Sequence, residues 1–202
     1  MSWPQRDAIM ALMDLLKLKQ ALARRHKRHI TDASRVAAAV LLPLCYKDGQ
    51  FYLLFVKRSE TVKVHKGQIS FPGGMCEVTD VSRLDTALRE CSEEIGLKAG
   101  EVEVLGELDD AITLTTGYIV TPFVGVIAGS CQLQADRQEI EKVIEIPLAA
   151  LLDKSNRTEE TGLEDGKEVT IYTYRYQGQV IWGATARILA QFFEIFRETM
   201  KE

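Results

Sequence analysis

Apolar positions along this chain of 202 residues follow two patterns, one typical of helices and one typical of strands. After Pro4, the helical spacing of about 3.6 residues is carried by Ile9, Leu12, Met13 and Leu16. A second amphipathic helix is predicted over residues 184–199. We interpret residues 1–30 as an amphipathic helical extension that packs on its own domain, and residues 31–202 as one main domain.

Strand-like patterns fill most of the middle of the chain. Residues 36–45 and 51–56 are apolar and β-prone, and Lys47-Asp48-Gly49 between them is a hairpin turn signal. Further strands are predicted over residues 102–106, 119–127 and 170–176. The other elements that the pattern predicts are a short helix over residues 147–152 and an exposed loop over residues 155–167. Strands mixed with flanking helices predict an α+β or α/β fold.

The most informative segment covers residues 71–97, where a Gly73-Gly74 turn leads towards a predicted helix. An apolar stripe at helical spacing is formed by Leu84, Leu88, Cys91 and Ile95. Ser82 followed by Asp85 resembles a capping box, and Gly96 is suited to a left-handed helix end. The stripe anchors one helix face in a core and leaves the acidic face presented.

That acidic face carries Glu90 and Glu94 one helical turn apart, with Glu93 beside them. Carboxylates this close repel one another unless a positive charge lies between them. Hard oxygen ligands suit Mg²⁺ or Mn²⁺, so we interpret the face as a metal site that can hold a phosphate. An ordinary solvated helix face is the alternative, and the fixed offsets of Gly74, Arg89 and Gly96 argue against it.

The segment resembles the Nudix box, G-x5-E-x7-R-E-U-x-E-E-x-G-U, in which U is an aliphatic residue. The matching positions are Gly74, Arg89, Glu90, Glu93, Glu94, Gly96 and Leu97. Asp80 stands near the position of the first Glu, one residue too far from Arg89, and Glu77 is a rival for its role. The resemblance implies a Nudix hydrolase domain over residues 31–202, with a mixed sheet sandwiched between helices.

Residues 58–74 resemble the extension of the coenzyme A diphosphatase branch of Nudix hydrolases. Arg58, Ser59 and Gly67 fit this extension, as do residues 71–74, and Lys63 replaces an arginine. Residues 116–122 and 181–186 also resemble this branch. The resemblance implies cleavage of coenzyme A, or of its derivatives, to 3′,5′-ADP and 4′-phosphopantetheine.

The resemblance also implies roles for individual side chains. Glu90 and Glu94 become metal ligands, Glu93 assists them, and Arg89 orients the carboxylates by paired hydrogen bonds. Glu139 is the predicted general base, and Glu141 competes with it.

The remaining assignments concern substrate. Gly73 and Gly74 permit close backbone approach. The basic cluster before the box is suited to the 3′-phosphate of coenzyme A; it consists of Arg58, Lys63, His65 and Lys66.

Composition limits the kinds of molecule that this chain is expected to bind. The net charge of −4 gives no general attraction to nucleic acid or to an acidic membrane, and no apolar run is long enough to span one. The four cysteines have no C-x-x-C spacing, which favours a reducing cytoplasm. The basic residues 24–29 are interpreted as a solvated helix end. We expect a small-molecule substrate and a monomer or homodimer.

Two alternative functions stay open. A Nudix hydrolase could act on ADP-ribose, NADH or nucleoside triphosphates, since the box fixes the diphosphate chemistry alone. A nucleotide-sensing module could keep the fold without turnover. The complete run from Arg89 to Glu94 argues against such a module, because a pure binder does not need every carboxylate.

Overall fold

The computed structural model describes residues 3–60, 66–113, 116–128, 133–164 and 167–201, with the side chains of residues 3–9, 164 and 167 left aside. Within these ranges the helices are α1 (Trp3–Arg24), α2 (Arg83–Ile95), α3 (Leu148–Leu152) and α4 (Gly183–Thr199). The strands are β1 (Ala37–Lys47), β2 (Gln50–Arg58), β3 (Ile69–Ser70), β4 (Gly73–Met75), β5 (Val102–Glu107), β6 (Ala111–Ile112), β7 (Ile119–Ile127), β8 (Ile140–Pro147), β9 (Arg157–Glu164), β10 (Lys167–Tyr176) and β11 (Gln179–Ile181).

The main sheet is mixed. β1 runs parallel to β7 and antiparallel to β2, and β2 also pairs with β8. β1 and β2 pair only beside their turn, where Asp48 and Gly49 both have positive φ angles of 51° and 80°. Farther from the turn, β4 pairs with β1 and β3 pairs with β2. This divergence places the Gly73-Gly74 turn beside β1, next to α2.

Helices cover both faces of the main sheet, as the resemblance implied. On one face, alternate residues of β1 such as Ala39 and Leu41 pack with the buried side of α2. On the other face, Leu42 and Leu44 belong to a core shared with α1, α3 and α4. The α/β/α sandwich and the predicted hairpin turn are therefore confirmed.

The predicted loop over residues 155–167 is wrong. Residues Arg157–Glu164 form β9, which pairs antiparallel with β10, and β11 completes a separate three-stranded sheet. The side chains of β9 are mostly polar and exposed, so the strand has no apolar alternation that a sequence pattern could reveal. Backbone pairing with β10 is what orders this segment.

The predicted apolar stripe of α1 is wrong in its register. Leu12, Met13 and Leu16 are about half exposed, whereas the side chain of Leu18 is fully buried and that of Leu22 is nearly so. Leu18 and Leu22 belong to the same core as α4 and β5. The N-terminal helix therefore packs on the domain through a different face from the one its spacing indicated.

The basic residues after α1 make ion pairs with an acidic segment. Arg25 Nη2 lies 3.2 Å from Asp109 Oδ1, and Lys27 Nζ lies 2.6 Å from Glu107 Oε2. Asp110, whose side chain is fully buried, accepts a hydrogen bond from the backbone N–H of Ile30. These contacts tie the end of the extension to the segment between β5 and β6.

Two leucines of α1 test this packing directly. We expect Leu18→Ala to lower the free energy of unfolding by about 2–4 kcal/mol, because it leaves a cavity in the core. Leu16→Ala removes the same atoms from an exposed site and is expected to change stability by less than about 0.5 kcal/mol. Urea denaturation of both variants measures the difference. Equal losses would show that α1 does not pack as described.

Candidate active site

Helix α2 begins and ends as the sequence predicts. The backbone N–H of Asp85 donates to the Ser82 hydroxyl at 3.2 Å, which caps the first turn. At the other end, Gly96 adopts a left-handed conformation with φ of 71°. The N–H of Leu97 then donates to the carbonyl of Cys91, and Leu97 is buried. Both ends of the helix are fixed, so its acidic positions are fixed as well.

The Gly73-Gly74 turn touches this helix through its backbone. The N–H of Gly73 donates to Glu94 Oε2 at 3.0 Å. A Cβ on Gly73 would collide with the backbone of Ala39 and Val40, and one on Gly74 would lie 2.5 Å from the carboxyl carbon of Glu90. At Gly73 only glycine avoids the β1 backbone, and at Gly74 a side chain would displace the Glu90 carboxylate.

Arg89 is the centre of the hydrogen-bond network. Its Nη1 donates to Glu90 Oε1 and to Glu93 Oε2, each at 2.9 Å. Its Nε and Nη2 donate to the two oxygens of Asp80, at 3.0 and 3.2 Å. The Met75 carbonyl accepts a further bond of 3.1 Å from Nη2. One guanidinium therefore holds three carboxylates and the end of β4 in place.

The structure distinguishes Asp80 from Glu77. The Asp80 side chain is 6% exposed and receives the paired bonds of Arg89, whereas the Glu77 side chain is 61% exposed and lies 3.9 Å from Arg89. The hydrogen bond from Arg89 is the main reason why the pKa of Asp80 lies well below its ordinary value. Asp80 therefore takes the partner position at Arg89.

Thr86 is a contributor that the sequence analysis missed. Its hydroxyl donates to Asp80 Oδ2 at 2.8 Å, and its side chain is buried. The helical position of Thr86, on the turn before Arg89, is the signal that could have indicated it.

Burial sets the electrostatics of the two predicted metal ligands. Glu94 is 4% exposed, and burial raises its pKa to about 7, with the nearby Glu90 adding to the rise. Burial also raises the pKa of Glu90, although Arg89 acts against it. The predicted acidic face is therefore partly buried, and its carboxylates are poorly solvated.

Arg58 and Glu139 approach the same carboxylates from the main sheet. Arg58 Nη1 lies 3.6 Å from Glu94 Oε1, and its Nη2 lies 3.7 Å from Glu139 Oε2. The Arg58 Nε is buried without a hydrogen-bond acceptor among the described residues. The rival Glu141 instead lies 2.7 Å from Lys57. Arg58 and Glu139 thus lie at the predicted metal face, whereas Glu141 forms its ion pair with Lys57.

Two predicted residues lie outside this description. Lys63 and His65 of the basic cluster fall in residues 61–65, which are not among the described residues. Lys66 is described and is exposed.

The donor atoms of the cluster suit a hard cation. In the described part of the chain, no group of three or more His, Cys, Asp or Glu side chains is arranged to hold a metal ion. Glu90 and Glu93 each give one oxygen to Arg89, and Glu94 gives one to Gly73, which leaves each carboxylate a second oxygen. Oxygen ligands on buried, repelling carboxylates fit a divalent cation after side-chain rotation.

Comparison with known families gives a match to the NUDIX domain over residues 34–158. The chain is 38% identical over 164 residues to a protein of Photorhabdus laumondii named as an uncharacterised Nudix hydrolase, NudL, and this covers 81% of the chain and 86% of that protein. A NudL protein of Yersinia pestis is 35% identical over 161 residues, or 80% of each chain. The protein belongs to the Nudix hydrolases, enzymes that cleave phosphorus-containing anhydrides.

Solved structures agree on the fold. A MutT/nudix family protein from Enterococcus faecalis superposes with a TM-score of 0.58 at 16% identity, over 98% of this chain and 75% of that one. A MutT protein from Methanosarcina mazei superposes with a TM-score of 0.51 at 18% identity, over 88% of this chain and 99% of that one.

As a family member, this protein acts on nucleoside diphosphate derivatives, and such enzymes generally use divalent metal ions. Among the described helices, none is long and apolar enough to cross a membrane.

Asp80 and Glu77 provide a matched test of the Arg89 network. We expect Asp80→Asn to lower kcat by about tenfold or more, because Arg89 loses the anion that fixes its orientation. Glu77→Gln changes an exposed carboxylate and is expected to keep kcat within about twofold. Steady-state kinetics on a common diphosphate substrate compares them. A larger loss in Glu77→Gln would reverse the assignment.

The raised pKa of Glu94 predicts a pH-dependent stability in metal-free protein. At low pH the carboxyl is protonated in both the folded and unfolded states, so it contributes nothing. Between its ordinary value of 4.5 and about 7, it ionises in the unfolded state only, and folding becomes less favourable as pH rises.

Above about pH 7 the Glu94 carboxyl is ionised in both the folded and the unfolded state, and the folded state carries the full free-energy cost of burying the charge. Glu94→Gln removes this penalty, so we expect the variant to be more stable than wild type by about 2–3 kcal/mol near pH 8. The advantage is expected to vanish near pH 4. Denaturation in EDTA at several pH values measures it, and a difference independent of pH would contradict the assigned burial effect.

Proposed function

We propose that this protein is a Mg²⁺- or Mn²⁺-dependent hydrolase of the diphosphate in coenzyme A or its derivatives, with 3′,5′-ADP and 4′-phosphopantetheine as products. The observation that carries the proposal is the position of Arg58. It belongs to the extension that resembles the coenzyme A branch, and it lies beside both Glu94 and Glu139. This places a residue of that extension at the carboxylates of the Nudix box.

The site divides the work among its residues. Glu90 and Glu94, assisted by Glu93, would hold the cation, which when bound supplies positive charge against the phosphoryl oxygens. Arg89 keeps the three glutamates in register through its hydrogen bonds. Gly73 and Gly74, the glycines assigned to substrate binding, let the turn backbone lie directly against β1 and the Glu90 carboxylate, beside the predicted metal face.

Arg58 suits a diphosphate oxygen better than a distant phosphate. Its ion pairs of 3.6 and 3.7 Å are longer than hydrogen bonds, and its Nε is buried without an acceptor among the described residues. A guanidinium in this state gains charge-assisted hydrogen bonds when an anion arrives. Arg58 therefore binds the leaving or the attacked phosphoryl group, beside the metal face.

Glu139 is the general base in this proposal. Its carboxylate is 58% exposed and lies next to Arg58, so water has access to it while it remains near the diphosphate. Its backbone carbonyl accepts a 2.8 Å bond from the N–H of Ser59, which anchors it to the segment that carries Arg58. Glu139 takes the proton of the attacking water, and the backbone bond from Ser59 keeps it beside the segment that carries Arg58.

Product analysis tests this function. With Mg²⁺ or Mn²⁺, purified protein is expected to convert coenzyme A to 3′,5′-ADP and 4′-phosphopantetheine, separated by chromatography, and to stop in EDTA. Glu94→Gln is expected to lower the rate by at least about 10²-fold. The same assay includes ADP-ribose, NADH and nucleoside triphosphates. A clear preference for one of these over coenzyme A would refute the substrate and leave the family chemistry in place.

A further inference from the structure

A cavity of about 430 Å³ lies beside the strand that carries Arg58, and the chemistry above does not use it. Its walls come from the end of β2, the segment that leads into β3, the β10–β11 turn and the start of α4. The lining residues that matter here are Lys57, Lys66, Gln68, Gln179 and Trp182. Cavities that bind small molecules usually measure about 300–1,000 Å³, so this one can admit a nucleoside with a phosphate.

The cavity wall is bonded directly to the catalytic strand. The N–H of Arg58 donates to the Gln68 carbonyl at 3.0 Å, and the N–H of Gly67 donates to the Arg58 carbonyl at 3.1 Å. Neighbouring residues of a strand point to opposite faces, so Lys57 faces the cavity while Arg58 faces the carboxylates. One hydrogen-bonded backbone pair at the end of β2 therefore separates the two sites.

Trp182 gives the cavity its aromatic wall. It is 50% exposed and lines the cavity, so part of its indole surface is open to a ligand. Purine rings stack on such surfaces with little sequence or orientation demand.

The cations supply the second half of a nucleotide site. Lys57 lines the cavity and its Nζ lies 2.7 Å from Glu141, an ion pair that offsets part of its charge, and Lys66 lies exposed on the same wall. An aromatic surface next to ammonium groups matches a base with an attached phosphate, rather than an apolar chain.

We propose that this cavity is the subsite for the adenine ring and the ribose 3′-phosphate of the substrate, with Trp182 stacking on the base and Lys57 and Lys66 facing the phosphate. The inference rests on the proposed function, because it places the nucleoside end of coenzyme A here while the diphosphate lies at Arg58. The motif that contains Trp182 thereby gains a role in substrate choice.

Direct binding tests the cavity without turnover. The chain has two tryptophans, so Trp3→Phe leaves Trp182 as the only indole fluorophore. We expect adenosine 3′,5′-bisphosphate to quench this fluorescence saturably in metal-free protein, and Lys66→Gln to weaken binding about tenfold. Ile171→Ala, with a similarly exposed apolar side chain on β10, is the matched control and is expected to bind normally. Quenching that is absent or unaffected by Lys66→Gln would overturn the proposal.

Turnover separates this inference from the proposed function. Trp182→Ala is expected to raise KM for coenzyme A about tenfold with little change in kcat, and Trp182→Phe to restore most of the affinity. A wild-type KM in Trp182→Ala would refute the subsite while coenzyme A hydrolysis stands. If wild-type protein does not hydrolyse coenzyme A, the proposed function fails, and the fluorescence titration alone decides whether the cavity binds the nucleotide.

Discussion

The repulsion among carboxylates on one side of α2 is the constraint on which the site depends. Asp80, Glu90 and Glu93 share a single guanidinium, Arg89, and Glu94 lies buried beyond its reach against Gly73 and Arg58. Two arginines offset half of the negative charge of these four carboxylates. Burial, to which the nearby Glu90 adds, raises the pKa of Glu94, and the remaining negative charge makes the site suitable for a cation.

The divergence of β1 and β2 brings groups that bind the carboxylates next to α2. The strands separate away from their turn, and the segment between them returns as β3 and β4. As a result, the Gly73-Gly74 turn lies against α2 from one side, and Arg58 at the end of β2 reaches it from another. The helix contributes the ligands, and the sheet contributes the groups that control their charge.

The sequence predicted the parts of the molecule that local chemistry determines. The Ser82 cap, the Gly96 end and the proximity of Arg89 to Glu90 and Glu93 follow from spacing along one helix. The exposed face of α1 was mispredicted because its helix carries two apolar arcs, and only tertiary packing selects Leu18. Strand β9 and the burial of Glu94 depend on neighbours distant in sequence, which spacing cannot reveal.

Direct titration of Mn²⁺ tests the central claim that these buried carboxylates form the cation site. Electron paramagnetic resonance counts free Mn²⁺ near pH 8, where Glu94 is ionised. Wild-type protein is expected to bind the ion, and Glu94→Gln to bind it at least about tenfold more weakly, while Glu77→Gln binds as wild type does. Equal binding by the wild type and Glu94→Gln would contradict the account.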